Sequence, residues 1–161
     1  MRVMFRIARS VLVPAAVLLL SLFGTSVVAS AQTASPTQTW HLEQFDRTSR
    51  MCVQYGPDGS THASYFIFVV SGKWTTDLKF GMRDLPPGWT ATEHYLPPGS
   101  NFHDPDGSIN VNGFVGVQGA ASVPMATYHA HIWVSDGTVT ETLPTDIVVT
   151  TESWVDCMNR G

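Results

Sequence analysis

Beyond Thr39 no segment keeps an apolar period of 3.6 residues, so none can lay a helical stripe against a core. What recurs instead is short runs of alternating or β-branched residues, each closed by Gly, Pro, Asn or Asp. A strand built this way is apolar on one face. Many such faces are buried by packing one sheet on another. The pattern predicts an all-β, antiparallel β-sandwich of about seven to eight strands.

The expected strands are Trp40–Phe45, Arg50–Tyr55, Ser64–Val70, Trp74–Phe80, Trp89–Tyr95, Ser108–Val117, Thr127–Ser135, and Thr138 to about Thr150. Ser64–Val70 (SYFIFVV) is apolar on both faces and reads as a central strand covered on both sides. Gly56-Pro57-Asp58-Gly59 and Ser71-Gly72 read as turns. Leu85-Pro86-Pro87-Gly88 and Leu96-Pro97-Pro98-Gly99 suit type II turns, with Pro setting φ and Gly supplying φ > 0. They place Trp89–Tyr95 as a short edge strand. Along Ser108–Val117, Ile109, Val111, Val115 and Val117 are expected inward and Asn110, Asn112 and Phe114 outward, with a bulge at Gly113. Asp136-Gly137 is a hairpin turn, and Pro144 suggests a break or a change of sheet.

The N-terminal region is different. Arg2, Arg6 and Arg9 precede an apolar run from Val11 to Phe23, and Ala29-Ser30-Ala31 supplies a small-x-small cleavage site. Residues 1–31 therefore read as a secretory signal peptide cut after Ala31. The run is shorter than the roughly 20 residues that span a bilayer. A secreted product with no stable membrane span is expected, and retention of the segment as an anchor is the alternative. Gln32–Thr39 is a polar, flexible leader to a domain over residues 40–161.

Export changes the charge balance. Three of nine basic residues leave with the signal and all thirteen acidic ones stay, so the formal charge moves from −4 to −7. The remaining Lys and Arg are scattered, which disfavours nucleic acid and anionic membranes as partners. Cys52 and Cys157 are the only cysteines, and an oxidising compartment makes a disulfide between them the expectation. Free redox thiols are the alternative, without the C-x-x-C spacing.

The segment Val123–Gly137 resembles the last hairpin of bacterial immunoglobulin-like domains: Pro124, a small residue, Tyr128, an alternating strand and Asp136-Gly137. The resemblance implies that Tyr128 is a tyrosine corner, its hydroxyl bonded back to nearby backbone, and that Ala130, Ile132 and Val134 face the core. Ala126 stands where that family usually has Gly, and the Cys pair is not at its usual inter-sheet positions. Trp74–Leu85, Pro97–Asn101 and Asn112–Val115 also resemble small exported actinobacterial proteins grouped as a domain of unknown function. That resemblance implies no activity.

With Tyr128 inward, His129, His131 and Trp133 share the outward face, about 6–7 Å apart along the strand. His-x-His on a strand can give two imidazole ligands to zinc or copper, with a third donor from His41, His62, His94 or His103. The alternative is a polar face without metal. His103, Asp104 and Asp106 offer a loop that could take Ca²⁺, although Asp-Pro-Asp-Gly is also ordinary turn sequence. Of five tryptophans, Trp133 and then Trp89 are the candidates for an exposed binding face. No G-x-S-x-G elbow or other catalytic signature occurs, no carboxylate pair stands out, and no cofactor is implied. The expected function is a non-catalytic binding module for an extracellular protein or carbohydrate. The rivals are an exported metal-binding protein, and a small extracellular hydrolase or a hydrolase inhibitor presenting Asn101–Gly107.

Overall fold

The computed structural model describes residues 38–45 and 49–160, which form ten strands and one short helix. The signal segment, its cleavage site and residues 32–37 of the leader lie outside the described residues. One sheet runs β1 (Trp40–Glu43), β3 (Thr61–Trp74), β8 (Gly113–Ala120), β5 (Thr90–Ala91), with β7 (Gly99–Asn101) also along β3. The other runs β2 (Arg50–Gln54), β10 (Thr140–Thr150), β9 (Thr127–Ser135), β4 (Leu78–Arg83), β6 (His94–Leu96). The orders β1-β3-β8 and β10-β9-β4 are the A-B-E and G-F-C orders of an immunoglobulin-like sandwich.

Period-two alternation builds the core. Phe66, Phe68, Val70, Val115 and Val117 from the first sheet meet Phe80, Ala130, Ile132, Val134, Ile147 and Val149 from the second, all buried. Phe68 meets Phe80 edge-on across the layers, with ring centroids 5.2 Å apart. Burying each of the Val, Ile and Phe side chains contributes about 1.5–3 kcal/mol. At one end, Tyr128 donates its hydroxyl proton to the Pro124 carbonyl at 2.7 Å.

Several local expectations are corrected. β3 does not turn at Ser71-Gly72 but runs on to Trp74. Gly72 takes φ 89°, and a Cβ there would lie 2.2 Å from the Thr39 carbonyl oxygen, so the strand kinks where only glycine fits. β4 consequently starts at Leu78. Trp89–Tyr95 is not one edge strand: Thr90–Ala91 pairs with β8 in one sheet and His94–Leu96 with β4 in the other. β8 begins at Gly113, so no bulge interrupts it, and Val111 is exposed. One pairing is parallel, β2 with β10, because β1 and β2 go to opposite sheets with no hairpin joining β2 to β10.

Pro144 does not break β10, which stays paired to β9 through Pro144 and His131. The Asp146 N–H points toward the β2 side, donating to Ser49 at 2.9 Å. The nitrogen of Pro144, two residues earlier, faces the same side before β2 begins, so its missing N–H costs no ladder bond.

Nor is the central strand covered throughout on both faces. Tyr65 is 65% exposed and Ile67 partly so, while Val69 and Ser71 farther along the same outward face are buried. There the chain between β7 and β8 folds back along β3. The Asn112 amide accepts from the Val70 N–H and donates to the Val70 carbonyl, both at 2.8 Å, and Asn101 donates to that carbonyl at 3.1 Å. A side-chain amide thus replaces a strand partner.

Helix α1 (Trp154–Asn159) is capped by Ser153, whose hydroxyl accepts from the Asp156 N–H. Six residues are too few to show a period, which is why it escaped the pattern. Cys157 on its buried side is bonded to Cys52 on the outward face of β2, with Cα atoms 6.1 Å apart, and no described cysteine is free. The linked residues are 105 apart in sequence, for which the chain-entropy argument gives about 4–5 kcal/mol. Cys157→Ser is expected to lower unfolding free energy by up to that amount in urea titrations followed by tryptophan fluorescence. Thiols that alkylate in the native, unreduced protein would contradict the linkage.

Candidate functional site

β9 lies at the centre of its sheet, between β10 and β4. Its buried Ala130, Ile132 and Val134 force His129, His131 and Trp133 outward. On β10, His129 faces Asp146, His131 faces Pro144 and Trp133 faces Thr142. On β4, His131 faces Arg83 and Trp133 faces Gly81. His129 Nδ1 lies 2.7 Å from Asp146 Oδ1, and His131 Nδ1 lies 2.9 Å from Asp84 Oδ2. Asp84 closes β4 at φ 60°, a left-handed backbone that Asp tolerates better than most residues.

Trp133 is half-buried rather than fully open. Its ring lies against Gly81, where a Cβ would come 3.0 Å from Cζ2 and 3.2 Å from Cε2. Lys79 Nζ stands 5.7 Å from the ring centroid and 2.6 Å from Glu93 Oε2, and the bond to Glu93 raises the lysine pKa. Tyr95, opposite Lys79, is 63% exposed. The face therefore joins two aromatic rings, a Lys–Glu pair and two His–Asp pairs. Sequence reasoning missed Tyr95, Lys79, Glu93, Asp84 and Asp146, since cross-strand register is needed to bring them beside β9.

Trp89 does not belong to this face and is corrected to a core residue, 6% exposed. The turn that made it a candidate folds it inward: its N–H donates to the Pro86 carbonyl at 3.0 Å and its Nε1 to the Ala120 carbonyl at 3.1 Å. Gly119 makes room, since a Cβ there would lie 2.1 Å from the indole. His62 stacks on the same ring at 5.9 Å, and burial lowers its pKa. Trp40 and Trp74 are also core; Trp154, on α1, is exposed.

The His103–Ser108 loop has the geometry of the turn that its sequence also allowed. Among the described residues no group of three or more His, Cys, Asp or Glu side chains is placed to hold a metal ion. Asp104 and Asp106 both accept from the Ser108 hydroxyl, at 3.3 and 2.7 Å, closing the turn on itself. His103 turns away, with Nδ1 3.0 Å from the Gly107 carbonyl and Nε2 2.9 Å from Glu43 on β1. Glu43 in turn accepts from Ser71 of β3. The loop is exposed and tied down by these bonds.

Residues 41–152 match the Family of unknown function (DUF5980), and the chain belongs to that family. The match includes β9 and Cys52 but stops short of α1 and Cys157. No curated protein matches the chain. Among solved structures, the ASH / PapD-like domain of human CEP192 (PapD-like domain 7) is similar at a TM-score of 0.37 and 11% identity, over 80% of this chain and 97% of that one.

The loop tether has a pH dependence with a defined sign. The Gly107 carbonyl, then Glu43, raise His103 above its ordinary 6.5. The Ser71 hydroxyl, opposed by partial burial and helped by His103, lowers Glu43 below 4.5. The histidine's contribution is full below its unfolded value and fades as pH rises through the folded one. The glutamate's is full above its unfolded value and fades as pH falls through the folded one. The tether is therefore tightest from about pH 4.5 to 6.5. Hydrogen-exchange protection at the bonded amides of Asp104 and Gly107 should fall as pH rises above the ordinary histidine value of 6.5 in the native protein, and stay flat in His103→Ala.

Proposed function

We propose that this member of a family of unknown function acts outside the cell as a non-catalytic interaction module. The outer face of β9 then docks an extracellular protein or carbohydrate. The observation that carries this reading is the pairing of Trp133 and Tyr95 with charged neighbours on a face whose geometry the core dictates. Aromatic anchors rimmed by polar groups are what binding faces are enriched in. Gly81 below Trp133 and the Lys79–Glu93 pair beside it hold the ring before any partner arrives, which lowers the ordering entropy of docking.

One further observation favours this role. A disulfide is at home in an oxidising compartment, in keeping with export directed by residues 1–31. Among the described residues no helix is long and apolar enough to cross a membrane. As for hydrolysis, His129–Asp146 and His131–Asp84 would supply a base and its orienting acid. Among the described residues no hydroxyl or thiol bonds to either Nε2 to complete such an arrangement.

Retention of labelled protein on intact producing cells and on their insoluble envelope polysaccharide tests the docking face. Trp133→Ala combined with Tyr95→Ala should weaken binding tenfold or more, about 1.4 kcal/mol. Equal retention of the variant removes the proposal. N-terminal sequencing of the exported product should begin at Gln32, and an intact Met1 would remove the export part.

A further inference from the structure

We infer that His129 and His131 form a two-imidazole site for a divalent late first-row transition ion, Cu²⁺ ahead of Zn²⁺, with Asp146 and Asp84 orienting the two rings. The argument starts from which ring nitrogen holds the proton. An ionised carboxylate can only accept a hydrogen bond, so the neutral form of each imidazole facing Asp146 or Asp84, at 2.7 and 2.9 Å, carries its proton on Nδ1. Each Nε2 then carries a lone pair. Among the described residues neither Nε2 has a hydrogen-bond partner.

Alternate residues on one strand stand about 6–7 Å apart on one face, within the span that one ion bridges between two imidazoles. Metal-binding histidines generally give their second ring N–H to a carboxylate, a backbone carbonyl or water, which fixes the tautomer and raises the basicity of the ligating nitrogen. Here both members of the pair have that support, and the rings are 78% and 34% exposed, so an ion can reach them. The two carboxylates outweigh the one nearby guanidinium, Arg83, whose Nε is 3.7 Å from Asp84.

The other paired histidines lack this arrangement. His41 has Glu141 at its Nδ1 and shares the neighbour Glu43 with His103, but His103 uses both ring nitrogens and has none left for an ion. No third His, Cys, Asp or Glu among the described residues completes a closed set, so the remaining positions fall to water or to a donor from a bound partner. An open site with two imidazoles suits Cu²⁺, which stands highest in the affinity order for nitrogen ligands. The site does not depend on the docking role. Its failure would leave the Trp133 and Tyr95 face standing, and the reverse holds too.

Calorimetric titration of the purified protein with Cu²⁺ alone and Zn²⁺ alone, near pH 7.5, tests the site. One Cu²⁺ per chain is expected, with weaker Zn²⁺ binding and a Cu²⁺ paramagnetic resonance spectrum showing two imidazole nitrogens. His129→Ala and His131→Ala should each weaken Cu²⁺ binding at least tenfold. Asp146→Asn and Asp84→Asn should weaken it roughly 10–100-fold with both imidazoles still present. His103→Ala should bind as the native protein does. Circular dichroism of each variant shows that it is folded. The inference is overturned by the absence of heat with both ions, or by Cu²⁺ binding that survives the His129→Ala, His131→Ala double change.

Discussion

Strand β9 can bury Ala130, Ile132 and Val134 only by turning His129, His131 and Trp133 out. That is a consequence of the two-residue side-chain period, and a slip of one residue would put the imidazoles and the indole into the core. β9 also has a strand on each side, so its register is set twice, by β10 and by β4. Core and surface are therefore a single decision. The hydrophobic gain on one face specifies the chemistry displayed on the other, and it does so on a rigid element rather than a loop.

The rest of the sandwich is finished by side chains where strands run out. Glu141 of β10 accepts from the Leu42 N–H and from Gln38, holding edge strand β1. Trp40 donates its indole N–H to Asp136 at 3.1 Å, joining β1 to the β9–β10 hairpin. Amides from Val139 and Thr138 converge on that same carboxylate and hold its pKa far below the ordinary range. Asn101 and Asn112 do for Val70 what a longer strand would. The disulfide does the same for α1. Unpaired strand edges invite association with other chains, and these contacts occupy part of that edge.

Histidine carries an unusual share of the surface electrostatics. With thirteen acidic residues and few Lys or Arg beyond the N-terminal segment, carboxylates find imidazoles instead. His41, His103, His129 and His131 each meet one. Exposed pairs of this kind contribute little stability. Their main effect is to orient the rings, which gives the His103 loop its tether and holds the β9 pair against Asp146 and Asp84.

Fold class, the β9 alternation and the pairing of the only two cysteines were legible in the sequence because each follows from local pattern or from counting. The two packed sheets follow from the strand-and-turn pattern, whereas the strand order within them is read from the pairing. What only the tertiary structure decided is what depends on neighbours distant in the chain. Trp89 went inward because Gly119 and the Pro86 turn made room for it. Tyr95, Lys79, Asp84 and Asp146 joined the β9 face through cross-strand register. Period and composition dictate which side of a strand a residue takes. Which residues it meets there is set by how strands pair, an outcome of the whole chain's packing that no local window contains.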